Sequence, residues 1–333
     1  MTRLGHVGFF GWGNYGDELM YQTWISAFGD EFTHERVHDV LVRPYFSRPA
    51  EEIAADVDAV VIGGGDLIHP DAISTLYWNR AWLTRPVIVA GVGVALERTR
   101  RRGDVPGRLR TFLQHENVHF VGTRDQGSTH WLRDTAGLSR EIETGADPGF
   151  AAALPPAGHP GRDTVGVVFR KVPTDQDLST LDRLLRLMEP RGFRVEVLVL
   201  AVEHDQALER RALEDVGVPP EIIRTESSID ALTAALGGYR SLLTAKFHGA
   251  VMAARYGVPA LSLRMTHKVR ALSIALGDPW LAREPHLMDD TALATALERR
   301  SSSPLLHTLE ETATHHMNRA VSATRRVAER KIP

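Results

Sequence analysis

The chain has 333 residues, of which 43% are hydrophobic and 24% charged, and a formal net charge of −3. That length suits two domains of about 150 residues rather than one core, the apolar content is ordinary for a globular protein, and the slight acidity argues against bulk nucleic-acid binding. No cysteine occurs, which excludes disulfides, thiolate catalysis and cysteine-ligated zinc and fits a reducing cytoplasm, the expected location.

The chain goes almost directly into a first strand, His6–Phe10, and its longest apolar runs, such as Val87 to Ala95, fall far short of a bilayer span, so no transmembrane segment is expected. Gly11-Trp12-Gly13-Asn14-Tyr15-Gly16 follows that strand and matches G-x-G-x-x-G, a loop that brings backbone close to a dinucleotide pyrophosphate. Asp17 and Glu18 come next and would crowd anionic phosphates. A glycine-lined turn presenting Asn14, Asp17 and Glu18 to sugar hydroxyls is therefore preferred, with dinucleotide binding and plain helix capping as alternatives. A second strand, Ala59–Ile62, ends in Gly63-Gly64-Gly65-Asp66, where the glycines allow close approach or positive φ and Asp66 is either a helix cap or a carboxylate facing a cleft. His69 and Asp71 match no metal-ligand spacing and none of the 15 histidines sits in H-E-x-x-H, so no metal is expected.

After the strand Val87–Gly91 comes a basic run of Arg98, Arg100, Arg101, Arg102, Arg108 and Arg110. It reads as a solvated loop and helix face or as a contact for an anionic or membrane-linked acceptor, which leaves peripheral membrane contact open. The strands Val118–Val121 and Glu141–Thr144 bring Thr123-Arg124-Asp125 and Asp147-Pro148-Gly149, polar residues at strand ends that are either site walls or an ion pair and a turn. Residues 154–163 hold three prolines and two glycines and read as a linker.

The alternation then restarts with strands at Thr164–Phe169, Arg194–Leu200, Ile222–Arg224, Ser241–Thr244 and Ala260–Leu263, separated by helices near Asp177–Glu189, Asp205–Val216, Ile229–Leu236 and Gly249–Tyr256. Arg170 and Lys171 end the first of these strands. Thr244 to Pro259 reads as strand end, helix and turn, placing Lys246 and His248 at a helix N-terminus, where unpaired N–H groups and the helix dipole favour an anion. Only four lysines occur, at 171, 246, 268 and 331, so ammonium groups concentrate in these segments. An amphipathic helix, about Leu305 to Arg330, closes the chain. The expected fold class is α/β, with two Rossmann-like domains at 1–158 and 163–300 facing across a cleft lined by strand carboxyl ends, and with helix 304–331 packing across the junction.

The combination of Gly13-Asn14-Tyr15-Gly16-Asp17-Glu18, Gly63-Gly64-Gly65-Asp66, Arg124-Asp125, Asp147-Pro148, Phe169-Arg170 and Lys246-Phe247-His248-Gly249 with Gly257-Val258-Pro259 resembles the polysaccharide pyruvyl transferase family, over about residues 8 to 275. The resemblance implies a fold similar to B-type glycosyltransferases. It also implies transfer of the enolpyruvyl carbons of phosphoenolpyruvate to a sugar, leaving a pyruvate ketal and releasing phosphate. The family's donor-binding arginine maps to Arg170 and its Arg-x-His pair to Lys246 and His248. Lys246 keeps the charge of arginine and loses its bidentate geometry. Where many members carry Tyr-x-Pro-Lys, this chain reads Arg264-Met265-Thr266-His267-Lys268.

On this basis the donor side is expected to comprise Arg170, Lys171, Lys246, Phe247, Gly249 and Lys268. The acceptor side would comprise Gly13, Asn14, Tyr15, Gly16, Gly64, Gly65, Asp66, Arg124 and Asp125. His248 is expected as general acid and Asp17 or Glu18 as the base, with Asn14 and Asp66 orienting the acceptor. No cofactor is implied, since phosphoenolpyruvate is itself the donor substrate. The other partner is a sugar-containing acceptor, whether polymer, lipid-linked or small glycoside; a homo-oligomer stays open. A nucleotide-sugar glycosyltransferase on the same scaffold, a non-catalytic carbohydrate- or anion-binding relative and a nicotinamide enzyme are the competing readings.

Overall fold

The structure is a computed structural model that describes residues 1–40, 42–98, 103–158, 163–301 and 303–329. Arg100, Arg101 and Arg102 of the basic run, residues 159–162 of the linker, and Lys331 with the end of the terminal helix lie outside these residues. By internal contacts the chain forms two units: Met1–Gly11, Leu19–Ala152 and Glu310–Pro333 in the first, and Trp12–Glu18 with Ala153–Leu309 in the second.

The first unit holds a six-stranded parallel sheet of β1 (Thr2–Val7), β2 (Phe32–Arg36), β3 (Ala59–Ile68), β4 (Val87–Val94), β5 (Val118–Thr123) and β6 (Glu143–Thr144), in the order β2-β1-β3-β4-β5-β6. Its helices include most of α1 (Tyr15–Phe28), then α2 (Ala50–Ala55), α3 (Val105–Leu113) and α4 (Gln126–His130). β4 is buried along its whole length, as expected for a central parallel strand covered on both faces. The chain reverses its direction of travel after β2, so the topological switch lies between β1 and β3.

Three strand expectations are corrected. β1 runs from Thr2 to Val7 rather than His6 to Phe10, and β2 was not anticipated. β3 does not stop at Ile62. It continues through Gly63-Gly64-Gly65 to Ile68, with Gly64 and Gly65 at φ +82° and +84° and a register shift between Gly65 and Ile68. The two left-handed glycines kink the strand while it stays paired to β4, a conformation open to glycine at little cost.

The second unit holds β7 (Thr164–Val168), α5 (Asp175–Met188), β8 (Arg194–Leu198), α6 (Glu203–Asp215), β9 (Ile223–Arg224), α7 (Ile229–Gly238), β10 (Ser241–Thr244), α8 (Phe247–Arg255), β11 (Ala260–Ser262), α9 (His267–Leu276) and α10 (Asp290–Glu298). Its five strands are parallel in the order β11-β10-β7-β8-β9, which puts the switch between β7 and β10. Two doubly wound sheets therefore form, as the alternating pattern implied.

The terminal helix α11 (Leu306–Glu329) places Met317, Ala320, Val321 and Ala323 in a core with Leu4, Trp24, Phe28, Val61 and Ile88 of the first unit. Its His316 is buried in a glycine cradle: a Cβ at Gly122 or Gly145 would lie 2.1 or 2.4 Å from the ring. The Gly91 N–H donates to His316 Nε2 at 3.0 Å, so the neutral ring carries its proton on Nδ1, which donates to Glu143 Oε1 at 3.1 Å. Among the described residues no helix is long and apolar enough to cross a membrane.

Candidate functional site

In the second unit the switch point carries the elements expected to bind an anion. Thr244 of β10 pairs with Val168 of β7, and the Ala245 N–H donates to the Val168 carbonyl at 2.7 Å, so Arg170 and Lys246 leave adjacent strands at the same edge. The turn into α8 is fixed by Thr244: its hydroxyl accepts from the Lys246 N–H at 3.0 Å and donates to the Lys246 carbonyl at 2.9 Å. Gly249 is required there, because a Cβ would stand 2.6 Å from that hydroxyl. Lys246 is the N-cap residue of α8 and its side chain makes no cap. The first turn thus presents backbone N–H groups at a strand-end crevice, with Phe247 and His248 on it.

The segment Trp12–Glu18 packs into this same unit, whereas the expected boundary at 158 had grouped it with the first half. The reason is backbone pairing. Asn14 bridges Ala201, the Val202 N–H donates to the Gly13 carbonyl at 2.8 Å, and the Asp205 N–H donates to the Trp12 carbonyl at 3.3 Å. Gly13 sits at φ +89° with the Val202 carbonyl 2.0 Å from where a Cβ would be. Tyr15 is fully buried, bonding through its hydroxyl to Thr233 at 2.7 Å; burial raises its pKa. Opposite Gly13, Glu203 takes a left-handed φ of +49°, an uncommon state for a residue with a Cβ.

This docking brings Gly16, Asp17 and His248 together. A Cβ on Gly16 would lie 1.9 Å from His248 Nδ1, so the bare glycine is what lets the imidazole lie against the start of α1. Asp17 is close enough to Lys246 for its charge to favour the ammonium. Glu18 has a different place: its Oε1 accepts from the Trp12 and Gly13 N–H groups at 3.1 and 3.2 Å, bracing the loop. Asn14 likewise accepts from the Gly16 N–H through Oδ1 at 3.2 Å. Of the two acids expected as base, Glu18 is thus the one seen bracing its own loop.

Lys246 requires a correction. Its Nζ donates to the Leu200 carbonyl at 2.8 Å and to both carboxylate oxygens of Glu209 at 2.6 and 2.8 Å. An ammonium has three N–H donors, and all three are engaged inside the fold. Burial pulls the Lys246 pKa down and pushes that of Glu209 up, each opposed by attraction to the other. The residue in the arginine position is thus a buried brace between α8, the end of β8 and α6 rather than a free donor for a ligand. Glu209, which sequence reading missed, is its partner; a lone acid on a polar helix carries no sequence sign that it is buried.

The remaining donor-side residues divide by exposure. Arg170 is exposed and makes no ion pair among the described residues, while Lys171 pairs with Asp205 at 3.4 Å. The Lys268 ammonium lies 5.5 Å from the centre of the Phe247 ring, which in turn meets His248 edge-on at 5.2 Å. Arg264 is tied to Asp177 at 2.9 Å, and Thr266 caps α9.

In the first unit, Arg124 is buried and bonded to Asp66 and, at 3.0 Å, to Asp147, with Asp125 at 3.9 Å. Burial opposes its charge, but the three carboxylates outweigh burial and raise its pKa. Gly93 leaves room for this cluster, since a Cβ there would lie 2.6 Å from both Arg124 Nε and Asp66 Oδ1. Asp147 caps the turn at Pro148, and Asp125 caps α4. Arg124 is therefore the hub of the cluster, and Asp66 and Asp125 are its partly exposed members. Among the described residues no group of three metal-ligating side chains occurs.

The model of the family described as polysaccharide pyruvyl transferase matches residues 14–267. None of the curated proteins matches the sequence. Among solved structures, a UDP-N-acetylglucosamine 2-epimerase from Rickettsia bellii is 15% identical with a TM-score of 0.56, covering 100% of this chain and 99% of that one. A UDP-GlcNAc 2-epimerase from Neisseria meningitidis bound to UDP-GlcNAc is 10% identical with a TM-score of 0.56, covering 99% and 100%. That from Methanocaldococcus jannaschii in complex with UDP-GlcNAc and UDP is 11% identical with a TM-score of 0.55, covering 98% and 99%. At these identities the likeness shows the two-sheet α/β fold alone. The family match, which spans both Asn14–Glu18 and the Lys246–Gly249 turn, shows that this chain belongs to the polysaccharide pyruvyl transferase family.

Proposed function

We propose that this transferase moves the enolpyruvyl group of phosphoenolpyruvate onto a pair of sugar hydroxyls, giving a pyruvate ketal and phosphate. The observation that carries the reading is the convergence of His248, Asp17 and the N-terminus of α8 at the β7/β10 switch point, with Arg170 leaving the neighbouring strand. Phosphoenolpyruvate is a compact polyanion. Arg170, the α8 N–H groups and Lys268 match its phosphate and carboxylate, and Lys246 holds the turn in place through Glu209.

In this reading His248 gives a proton to the methylene carbon, which becomes the methyl group and leaves an oxocarbenium-like centre at C2. One sugar hydroxyl adds there, its proton passing to Asp17. The C2–O bond to phosphate then breaks with its electron pair going to phosphate. The second hydroxyl adds to C2, and its proton leaves with the phosphate. The proton taken up by Asp17 replaces the one given by His248, so that overall two hydroxyl protons are lost, one is gained by carbon and one by phosphate, and the step balances. Asp66 and Asp125 in the first unit offer partly exposed carboxylate faces suited to sugar hydroxyls.

The test is incubation with phosphoenolpyruvate and a panel of glycoside acceptors, following phosphate release and ketal mass, with a nucleotide sugar as comparison donor. Asp17→Asn is expected to abolish turnover while retaining phosphoenolpyruvate binding. Turnover of the nucleotide sugar, with phosphoenolpyruvate inert, would overturn the proposal.

A further inference from the structure

A separate cavity of about 300 Å³ lies in the first unit, between the outer face of α3 and the segment at residues 73–83. Its helix side is built by Asp104, Gly107, Arg108 and Thr111, the i, i+3, i+4, i+7 spacing of one face. Gly107 makes room for the Asp104 carboxylate, which a Cβ there would strike at 2.1 Å. The opposite wall is rigid: Trp78 donates from its indole nitrogen to the Leu67 carbonyl at 3.0 Å and meets Phe112 edge-on at 5.4 Å.

The charges around this cavity are one-sided. Arg80, Arg108 and Arg110 all line it. Arg110 donates to the Ala136 carbonyl at 3.3 Å, whereas the Arg80 and Arg108 guanidiniums have no partner among the described residues. The one acid in the lining, Asp104, caps α3 by accepting from the Gly107 N–H at 2.9 Å. Two unengaged planar forks in one lining suit a tetrahedral oxyanion, which guanidinium binds bidentately.

We propose that this cavity is a second anion site, distinct from the β7/β10 switch point, and that it takes a phosphate group through Arg80 and Arg108. The volume sits at the small end of ligand pockets and fits a phosphate or diphosphate head rather than an oligosaccharide. That group is either free in solution or the head of an anionic lipid, and the two sources are told apart by the assay.

The experiment uses the full chain carrying Arg170→Ala and His248→Ala, so that the switch-point site does not contribute to the signal. Inorganic diphosphate is titrated calorimetrically, and sedimentation is measured with vesicles of phosphatidylglycerol and of phosphatidylcholine. The expected result is saturable binding of diphosphate or of the phosphatidylglycerol vesicles, weakened about tenfold or more by Arg80→Ala with Arg108→Ala, and weakened less by Arg80→Lys with Arg108→Lys. Diphosphate binding alone assigns a free ligand, and binding to phosphatidylglycerol alone assigns a lipid head. Absence of binding by either probe, or binding that the double alanine variant leaves unchanged, overturns the proposal.

Discussion

Lys246→Met removes the ammonium that satisfies Glu209, leaving a carboxylate whose side chain is only 9% exposed without its partner. Breaking a buried pair from one side costs about 3–5 kcal/mol, and Glu209→Leu, which strands the ammonium, should cost a similar amount. The double variant Lys246→Met with Glu209→Leu replaces the pair by apolar groups of similar volume and is expected within about 1 kcal/mol of the parent. The coupling between the two positions is then several kcal/mol. Because burial already raises the Glu209 pKa, the cost of Lys246→Met should shrink as pH falls and the stranded carboxyl takes up a proton. Urea denaturation across pH reads the cost, and hydrogen exchange of α6 and α8 peptides localises it. Additive losses, or an unperturbed Lys246→Met that has lost phosphoenolpyruvate affinity, would refute the reading of Lys246 as a brace.

Gly16→Ala is expected to displace His248, because the new Cβ would stand 1.9 Å from Nδ1. It should lower kcat far more than it raises KM, and an unchanged kcat would remove His248 from the reaction. His6 is buried against His34, and burial followed by the His34 charge lowers its pKa from the ordinary 6.5 to about 3. The folded state therefore prefers the neutral ring, and the stability it contributes is present above pH 6.5 and lost as pH falls toward 3. Linkage gives about 2 kcal/mol lost between pH 7 and pH 5 from this group alone, with His38 and His69, also lowered chiefly by burial, adding to it. Imidazole NMR should show His6 neutral at pH 5, and a midpoint near 6.5 would contradict the burial argument. Glu203→Gly is expected to stabilise by about 0.5–1 kcal/mol by relieving the left-handed backbone at φ +49°; destabilisation would mean that the Glu203 side chain contributes more than the strain.

The positions of strands such as Ser241–Thr244 and the α8 turn were legible in the sequence, because these apolar runs end in residues with distinct chemistry at their carboxyl ends; the order of the strands was not. Nor was β2. Its sequence Phe32-Thr33-His34-Glu35-Arg36 is an edge strand with one buried residue, so no apolar run marks it. The continuation of β3 through three glycines was hidden because glycine normally signals a strand's end. The roles of Lys246 and Glu18 were misjudged for a shared reason. Sequence places a charge at a helix terminus but does not say whether a carboxylate such as Glu209, 37 positions away, or a neighbouring backbone amide has already engaged it. The placement of Trp12–Glu18 in the second unit follows from long-range backbone pairing with Ala201 and Val202, which leaves no local trace.

The proposed reaction depends above all on phosphoenolpyruvate binding at the β7/β10 edge through Arg170 and the α8 N-terminus. It is tested most directly by calorimetric titration of phosphoenolpyruvate into the wild-type chain and into Arg170→Ala. Saturable binding is expected in the wild type and is expected to collapse in Arg170→Ala, an exposed position where truncation leaves the fold intact. Undiminished binding by Arg170→Ala, or no binding by a folded wild type, would contradict it.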